Sequence, residues 1–251
     1  MDLQLEGRTA LVTGASQGIG KAIARLLAKE GVRVAMAARR VELLEAHAEA
    51  LADEGCMRPQ IIQSDLYLPD AAEALADKAA RALGHIDILI NCAGGSRPIP
   101  FDASKALWEE GMTLNFWRLR ELTHAVIPGM KDRRFGRIVN MTGTSEPRII
   151  NAAFAAKAAV HVWAKGLSRD IAPYGITINS LQPGRIHSEQ MSKRYPTPEA
   201  EQEFAQAEIP AGRFGTAEEI GAVAVFLCSP VAAYVTGTVI PVDGGMSRFA
   251  F

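Results

Sequence analysis

What the chain has little of narrows it first. Only three cysteines occur in 251 residues, Cys56, Cys92 and Cys228, far apart and without the paired spacing of a metal site. They read as small core residues, so neither a disulfide framework nor a bound metal is expected. Aromatic residues make up 6% of the chain, and acidic and basic side chains nearly cancel to a net charge of −1. Without a basic excess there is no electrostatic footprint for nucleic acid or an anionic membrane. No apolar run is long enough to span a bilayer. The opening Met1-Asp2-Leu3-Gln4-Leu5-Glu6 lacks the basic flank and apolar stretch of a secretory leader, and the expected location is the cytoplasm. Internal repeats and low-complexity linkers are also missing, which makes 1–251 one expected domain.

What is present is a rhythm. Short β-branched or apolar runs at 9–13, 32–37, 60–64, 86–91, 136–141 and 177–181 alternate with stretches of helical period. Those helical stretches cover 19–30, 41–54, 70–83, about 104–130, and 152–171. Strand and helix alternating at this pace predict a parallel sheet covered on both faces. Right-handed crossovers then make it a doubly wound α/β fold of the Rossmann type. The polar stretch 188–212 breaks the rhythm and predicts an insertion above the sheet, a mobile lid with a short helix.

The strongest local signal is Thr13-Gly14-Ala15-Ser16-Gln17-Gly18-Ile19-Gly20, between the first strand and the first helix. Gly14 permits a sharp turn off the strand, Gly18 lets backbone approach a pyrophosphate, and Gly20 lets the helix pack closely on the sheet. The helix N-terminus then offers free amides and the positive end of its dipole to phosphates.

The spacing Gly-x-x-x-Gly-x-Gly resembles the fingerprint of the short-chain dehydrogenase/reductase family, and further matches follow in order. Asn91-Cys92-Ala93-Gly94 is similar to the family's Asn-Asn-Ala-Gly, with Cys at the second place. Asp65 resembles the residue that contacts adenine, with Leu66 beside it, and Pro183-Gly184 with Ile186 resembles the segment that holds the nicotinamide carboxamide. Arg213-Phe214-Gly215, Thr236-Gly237 and Asp243-Gly244-Gly245 complete the series. The resemblance implies a dinucleotide held by Gly14, Ser16, Gln17, Gly18, Ile19, Gly20, Asp65, Leu66, Asn91, Ala93, Gly94, Lys157, Pro183, Gly184 and Ile186. It also implies hydride transfer with a small carbonyl or alcohol substrate, in a homotetramer or homodimer.

Cofactor choice is read at the end of the second strand. An acidic residue there would accept hydrogen bonds from the ribose hydroxyls of NAD and repel a 2′-phosphate. This chain has Ala38 followed by Arg39 and Arg40. A guanidinium beside a neutral residue favours NADP by charge and bidentate geometry, with Arg39 as the reader. The duller reading leaves both arginines as solvated residues at a helix start.

The catalytic pattern breaks. Family members carry a tyrosine four residues before a lysine, which puts both on one helix face. Asn115 and Lys157 match the family's asparagine and lysine, but the tyrosine position is Ala153, flanked by Phe154. The usual serine falls on Gly143, and the connection to Ala153 is about three residues short of the family pattern. Thr142, Thr144 and Ser145 compete for the orienting role, with Ser145 entered as the catalytic candidate; all three also suit a turn-capping role. His161, His187, Tyr195 and Lys157 itself compete to supply the proton. Three readings stay open: an oxidoreductase with an unorthodox proton route, a non-catalytic nucleotide-binding sensor or partner subunit, and a fold reused for other chemistry. Arg185 is placed either to pair with an acidic substrate or to form a surface ion pair. The apolar tail Phe249-Ala250-Phe251 is expected to pack on a neighbouring subunit or on its own.

Overall fold

A computed structural model describes residues 1–249, with the Gln190 side chain excepted. Ala250 and Phe251, and with them most of the apolar tail, lie outside the described residues; Phe249 is exposed.

Seven strands form one parallel sheet: β1 (Thr9–Thr13), β2 (Arg33–Ala38), β3 (Gln60–Gln63), β4 (Ile88–Asn91), β5 (Gly136–Met141), β6 (Ile176–Pro183) and β7 (Val239–Val242). Their spatial order is β3-β2-β1-β4-β5-β6-β7. The chain therefore winds outward in one direction from β1 and in the other from β4, the doubly wound arrangement expected. Crossovers are made by α1 (Gly18–Lys29), α2 (Val41–Asp53), α3 (Ala71–Leu83), α4 (Lys105–Met112), α5 (Arg118–Arg133), α6 (Ala152–Ile171), α7 (Glu189–Arg194), α8 (Pro198–Glu208) and α9 (Ala217–Cys228).

The alternation within β1 shows why the sheet is apolar on both sides. Ala10 and Val12 join the core beneath α1, α2 and α9, while Leu11 points into the core beneath α3, α5 and α6. Burying a Leu or Val completely contributes about 1.5–3 kcal/mol per side chain, so a strand filled on both faces is strongly fixed in register.

Three elements depart from expectation. The helix expected over about 104–130 is broken by a π-helical turn at Thr113–Trp117. There the Asn115 amide donates to the Gly111 carbonyl at 2.9 Å, and wide turns of this kind gather at functional sites. The insertion holds two helices, not one. Ser188 caps α7 through Met191 N, and Thr197 caps α8 through Ala200 N with Pro198 in the first turn. Beyond them, α9 and β7 were not anticipated, although Thr216 and Glu219 form a reciprocal capping box at the start of α9.

No helix among the described residues is long and apolar enough to cross a membrane, and no cluster of metal-ligating side chains occurs among them.

Candidate active site

A cavity of about 440 Å³ opens at the carboxyl ends of β1 and β4, where the winding direction reverses. Open parallel sheets place ligands at this point, because the two flanking connections part and leave a crevice.

One end of the cavity is backbone. Gln17 precedes α1 without capping it through its side chain, so that side chain does not occupy the first amides of the helix. Gly18 beside them has open space where a side chain would stand, and a φ of +55°. At Gly20 a Cβ would lie 2.5 Å from the Gly14 carbonyl oxygen, an atom with no freedom to yield. Gly20→Ala is therefore expected to destabilise the fold by about 1–3 kcal/mol and to weaken dinucleotide binding, measured by thermal melting and fluorescence titration. Thr13, which sequence reasoning passed over, stitches this turn to the neighbouring strand. Its hydroxyl donates to the Ile90 carbonyl and accepts from Cys92 N and Ala93 N, both at 3.0 Å.

Gly14, Ser16, Gln17, Gly18, Ile19 and Gly20 all line the cavity, as do Arg39, Asp65, Leu66, Ala93, Gly94, Lys157, Pro183, Gly184 and Ile186. Helix amides, an open glycine cradle and cationic side chains at the end of β2 fit a dinucleotide. Arg39 is exposed on the cavity rim, and only its carbonyl is engaged, by Gln63. Arg40 behaves differently: it donates to the Gln17 side-chain oxygen and stands 3.8 Å from Glu189, tying the glycine turn to the inserted α7.

Three expected site residues stand behind the wall rather than on it. Asn91 is buried, donating to Thr123 and Asn140 at 2.9 Å each, and so ties β4 to α5 and β5. Asn115 accepts from Gly95 N at 3.1 Å and supports the strip that carries Gly94. Ser145 donates to Gln182 at 3.1 Å and does not line the cavity; Thr142, Gly143 and Thr144 do. Thr144 is occupied in a local turn, accepting from Glu146 N.

Around the missing tyrosine the geometry is plain. Asn151 caps α6 by accepting from Ala153 N at 2.9 Å, which fixes the backbone of the first turn. The same side chain accepts from Arg97 N and donates to Ser96, clamping the shortened connection against the strip after β4. Ala153 and Phe154 face the cavity with no group that exchanges a proton. Lys157, one turn on, is half-buried, and its ammonium donates to the Thr142 carbonyl at 3.2 Å. Burial pushes its pKa below the ordinary lysine value. The Thr142 hydroxyl donates to the Leu181 carbonyl and meets His161 Nε2 at 2.8 Å.

Of the four proposed proton sources, Lys157 alone lines the cavity. His161 is screened from it by Thr142. His187 packs on Phe214 and lies 3.6 Å from Glu201. Tyr195 packs edge-on against Phe214 and beside Phe204 in the small core of the insertion.

Comparison with known proteins agrees with this architecture. A family model described as enoyl-(acyl carrier protein) reductase matches residues 14–247. A 3-oxoacyl-[acyl-carrier-protein] reductase of Vibrio cholerae is 37% identical over 97% of this chain and 99% of its own length. The L-sorbose reductase of Gluconobacter frateurii, solved with NADPH and L-sorbose, superposes with a TM-score of 0.93 at 29% identity, covering 99% of this chain and 100% of that one. A 7α-hydroxysteroid dehydrogenase solved with NADH superposes with a TM-score of 0.91 at 32% identity, covering 100% and 98%. The chain belongs to the short-chain dehydrogenase/reductase family of oxidoreductases.

Proposed function

We propose that this chain is an NADP(H)-dependent oxidoreductase that exchanges a hydride with a small carbonyl or alcohol substrate, and that Lys157 holds the proton assigned elsewhere in the family to a tyrosine. The observation that carries this reading is the Lys157 ammonium on the cavity wall, one turn beyond an Ala153 that leaves its place empty.

A nicotinamide, when bound, would supply the hydride in reduction and receive it in oxidation. The chain does the rest. The glycine turn and α1 amides would hold the phosphates, and the Pro183-Gly184 segment, pinned by Gly184 N to the Val242 carbonyl at 3.0 Å, would hold the nicotinamide end. As a carbonyl oxygen gains charge, Lys157 Nζ gives it a proton, and the neutral amine left behind is recharged from solvent. Burial helps this transfer, because a lowered pKa makes the ammonium a better acid near neutrality. Asn115 acts through the backbone, holding the 94–95 strip beside Lys157.

Arg39 supports NADP over NAD, since among the described residues its guanidinium forms no ion pair and the preceding Ala38 is neutral. Arg39→Asp is expected to reduce the NADPH-over-NADH preference by about 10- to 100-fold, which paired fluorescence titrations read directly. Equal affinities of the unaltered protein for the two nucleotides would remove the preference. Assembly into a homodimer or homotetramer fits the exposed Trp117 and Val162 on the π-helical turn and α6.

The sensor reading retains one specific support: Ala153 and Gly143 stand on the wall where the family pattern places a tyrosine and a serine. Nicotinamide absorbance over a panel of ketones and alcohols separates the two. Turnover supports the oxidoreductase, and tight nucleotide binding without turnover supports the sensor.

A further inference from the structure

The charges lining the cavity are unbalanced. Among the described residues five are cationic, Arg39, Arg40, Lys157, Arg185 and Arg194, and Asp65 is the one carboxylate. Asp65, Arg39 and Arg40 follow β3 and β2, at the glycine-turn end. Arg185 follows β6, which stands three strands from β1 in the sheet, about 14 Å away at the usual strand spacing. Phosphates held at the N-terminus of α1 would therefore lie three strands from the one that carries it.

Arg185 is half-buried and its Nε is buried without a hydrogen-bond partner. Its guanidinium lies over the Phe204 ring, 5.1 Å from the centroid, with the Tyr195 phenol close by. The charged groups facing it are Arg194 and Arg148, both cations. The carboxylates near Arg148 are engaged elsewhere: Glu208 by Arg148 and by Arg248, the latter at 3.5 Å, and Glu146 by the backbone amides of Arg248 and Phe249. No surface ion pair of Arg185 forms among the described residues. Withdrawing a guanidinium from water without a counter-ion is costly, and further cations nearby add to the cost. That cost is offset when an anion enters. A planar carboxylate suits the guanidinium fork, and Phe154, Met191 and Met246 on the wall suit an apolar body behind it.

We propose that the cavity selects an anionic substrate, a carbonyl or alcohol compound bearing a carboxylate, and that Arg185 is the residue that pairs with it. The inference deepens the proposed hydride-transfer reading and rests on the cavity being the substrate site.

Calorimetric titration tests it without turnover. Phenylpyruvate, 2-oxohexanoate and acetoacetate are each compared with their methyl esters, with NADP⁺ bound and again without nucleotide. At least one acid is expected to bind about thirty-fold more tightly than its ester, and Arg185→Met to erase that difference, as for loss of one partner of a desolvated charge pair. Arg185→Lys, which keeps the charge but not the fork, is expected to retain part of the preference, showing that the site stays folded. Equal binding of acid and ester, an acid preference that survives Arg185→Met, or no binding by any of the acids overturns the proposal. Failure of NADP⁺ to bind instead removes the hydride-transfer reading, and the titrations without nucleotide then decide the role of Arg185 alone.

Discussion

Lys157→Met is expected to lower the rate of hydride transfer by about 10²- to 10⁴-fold, the usual contribution of a positioned acid or base. The ammonium faces the cavity beside Ala153, while of the nearby hydroxyls Thr142 donates to the Leu181 carbonyl and Thr144 accepts from Glu146 N. Lys157→Arg is expected to fail as well, because a guanidinium keeps its proton throughout the working pH range. The pH profile follows from the direction of the shift. Burial lowers the lysine pKa, so carbonyl reduction should hold at low pH and decline as pH rises through that lowered value, with alcohol oxidation rising in its place. Stability moves with the same group. Below the lowered pKa the folded protein carries the full cost of burying the charge. That cost is relieved as pH climbs towards the ordinary lysine value, because the unfolded chain then binds more protons than the folded one. Lys157→Met should thus melt no lower than the unaltered protein at neutral pH while losing turnover. A lower melting temperature with unchanged turnover would reverse the assignment, making Lys157 a structural residue.

The second large effect is a gain. Ala153→Tyr is expected to raise turnover by about 10²-fold, since it sets a phenol on the cavity wall one helical turn from Lys157. The backbone there is already held by the Asn151 cap, so the new side chain inherits a fixed origin. Ala153 is almost fully buried, and the larger ring is expected to cost about 1–3 kcal/mol in crowding against its neighbours. Steady-state rates and a melting curve on the same preparation measure both. If the variant turns over and the unaltered protein does not, the chain has given up its acid and its role is binding.

The glycine-turn end of the cavity was legible from sequence because it is written in backbone. Glycines at 14, 18 and 20 act by what they lack, so spacing alone places them, and each reaches the cavity. Position 39 was legible for a similar reason, since the residue at the end of a parallel strand must face the crevice. The substrate end depends on side-chain direction, which spacing does not carry. Ser145 looked as available as Thr144, yet it turns to Gln182, and Asn91 turned out to brace three elements from behind the wall. Tyr195 belongs to a small core around Phe214 that exists only once the insertion folds into α7 and α8, and the exposed His187 packs on that same ring. The signals that went unread were local ones: the Thr216–Glu219 capping box ahead of α9, and the β-branched run at β7 despite Pro241, which an edge strand tolerates. The role of Arg40 as a tie between Gln17 and Glu189 joins residues too distant in sequence for any pattern to suggest.

The account's central claim is that this chain transfers hydride without the tyrosine. The most direct test gives the unaltered protein NADPH carrying deuterium at the transferable position, together with a panel of carbonyl compounds that includes 2-oxo acids, and follows the label by mass spectrometry. The account predicts deuterium on the carbinol carbon of at least one product, formed more slowly by Lys157→Met. NADPH that binds tightly and keeps its label throughout would contradict it, and the chain would then be a nucleotide-binding sensor or partner.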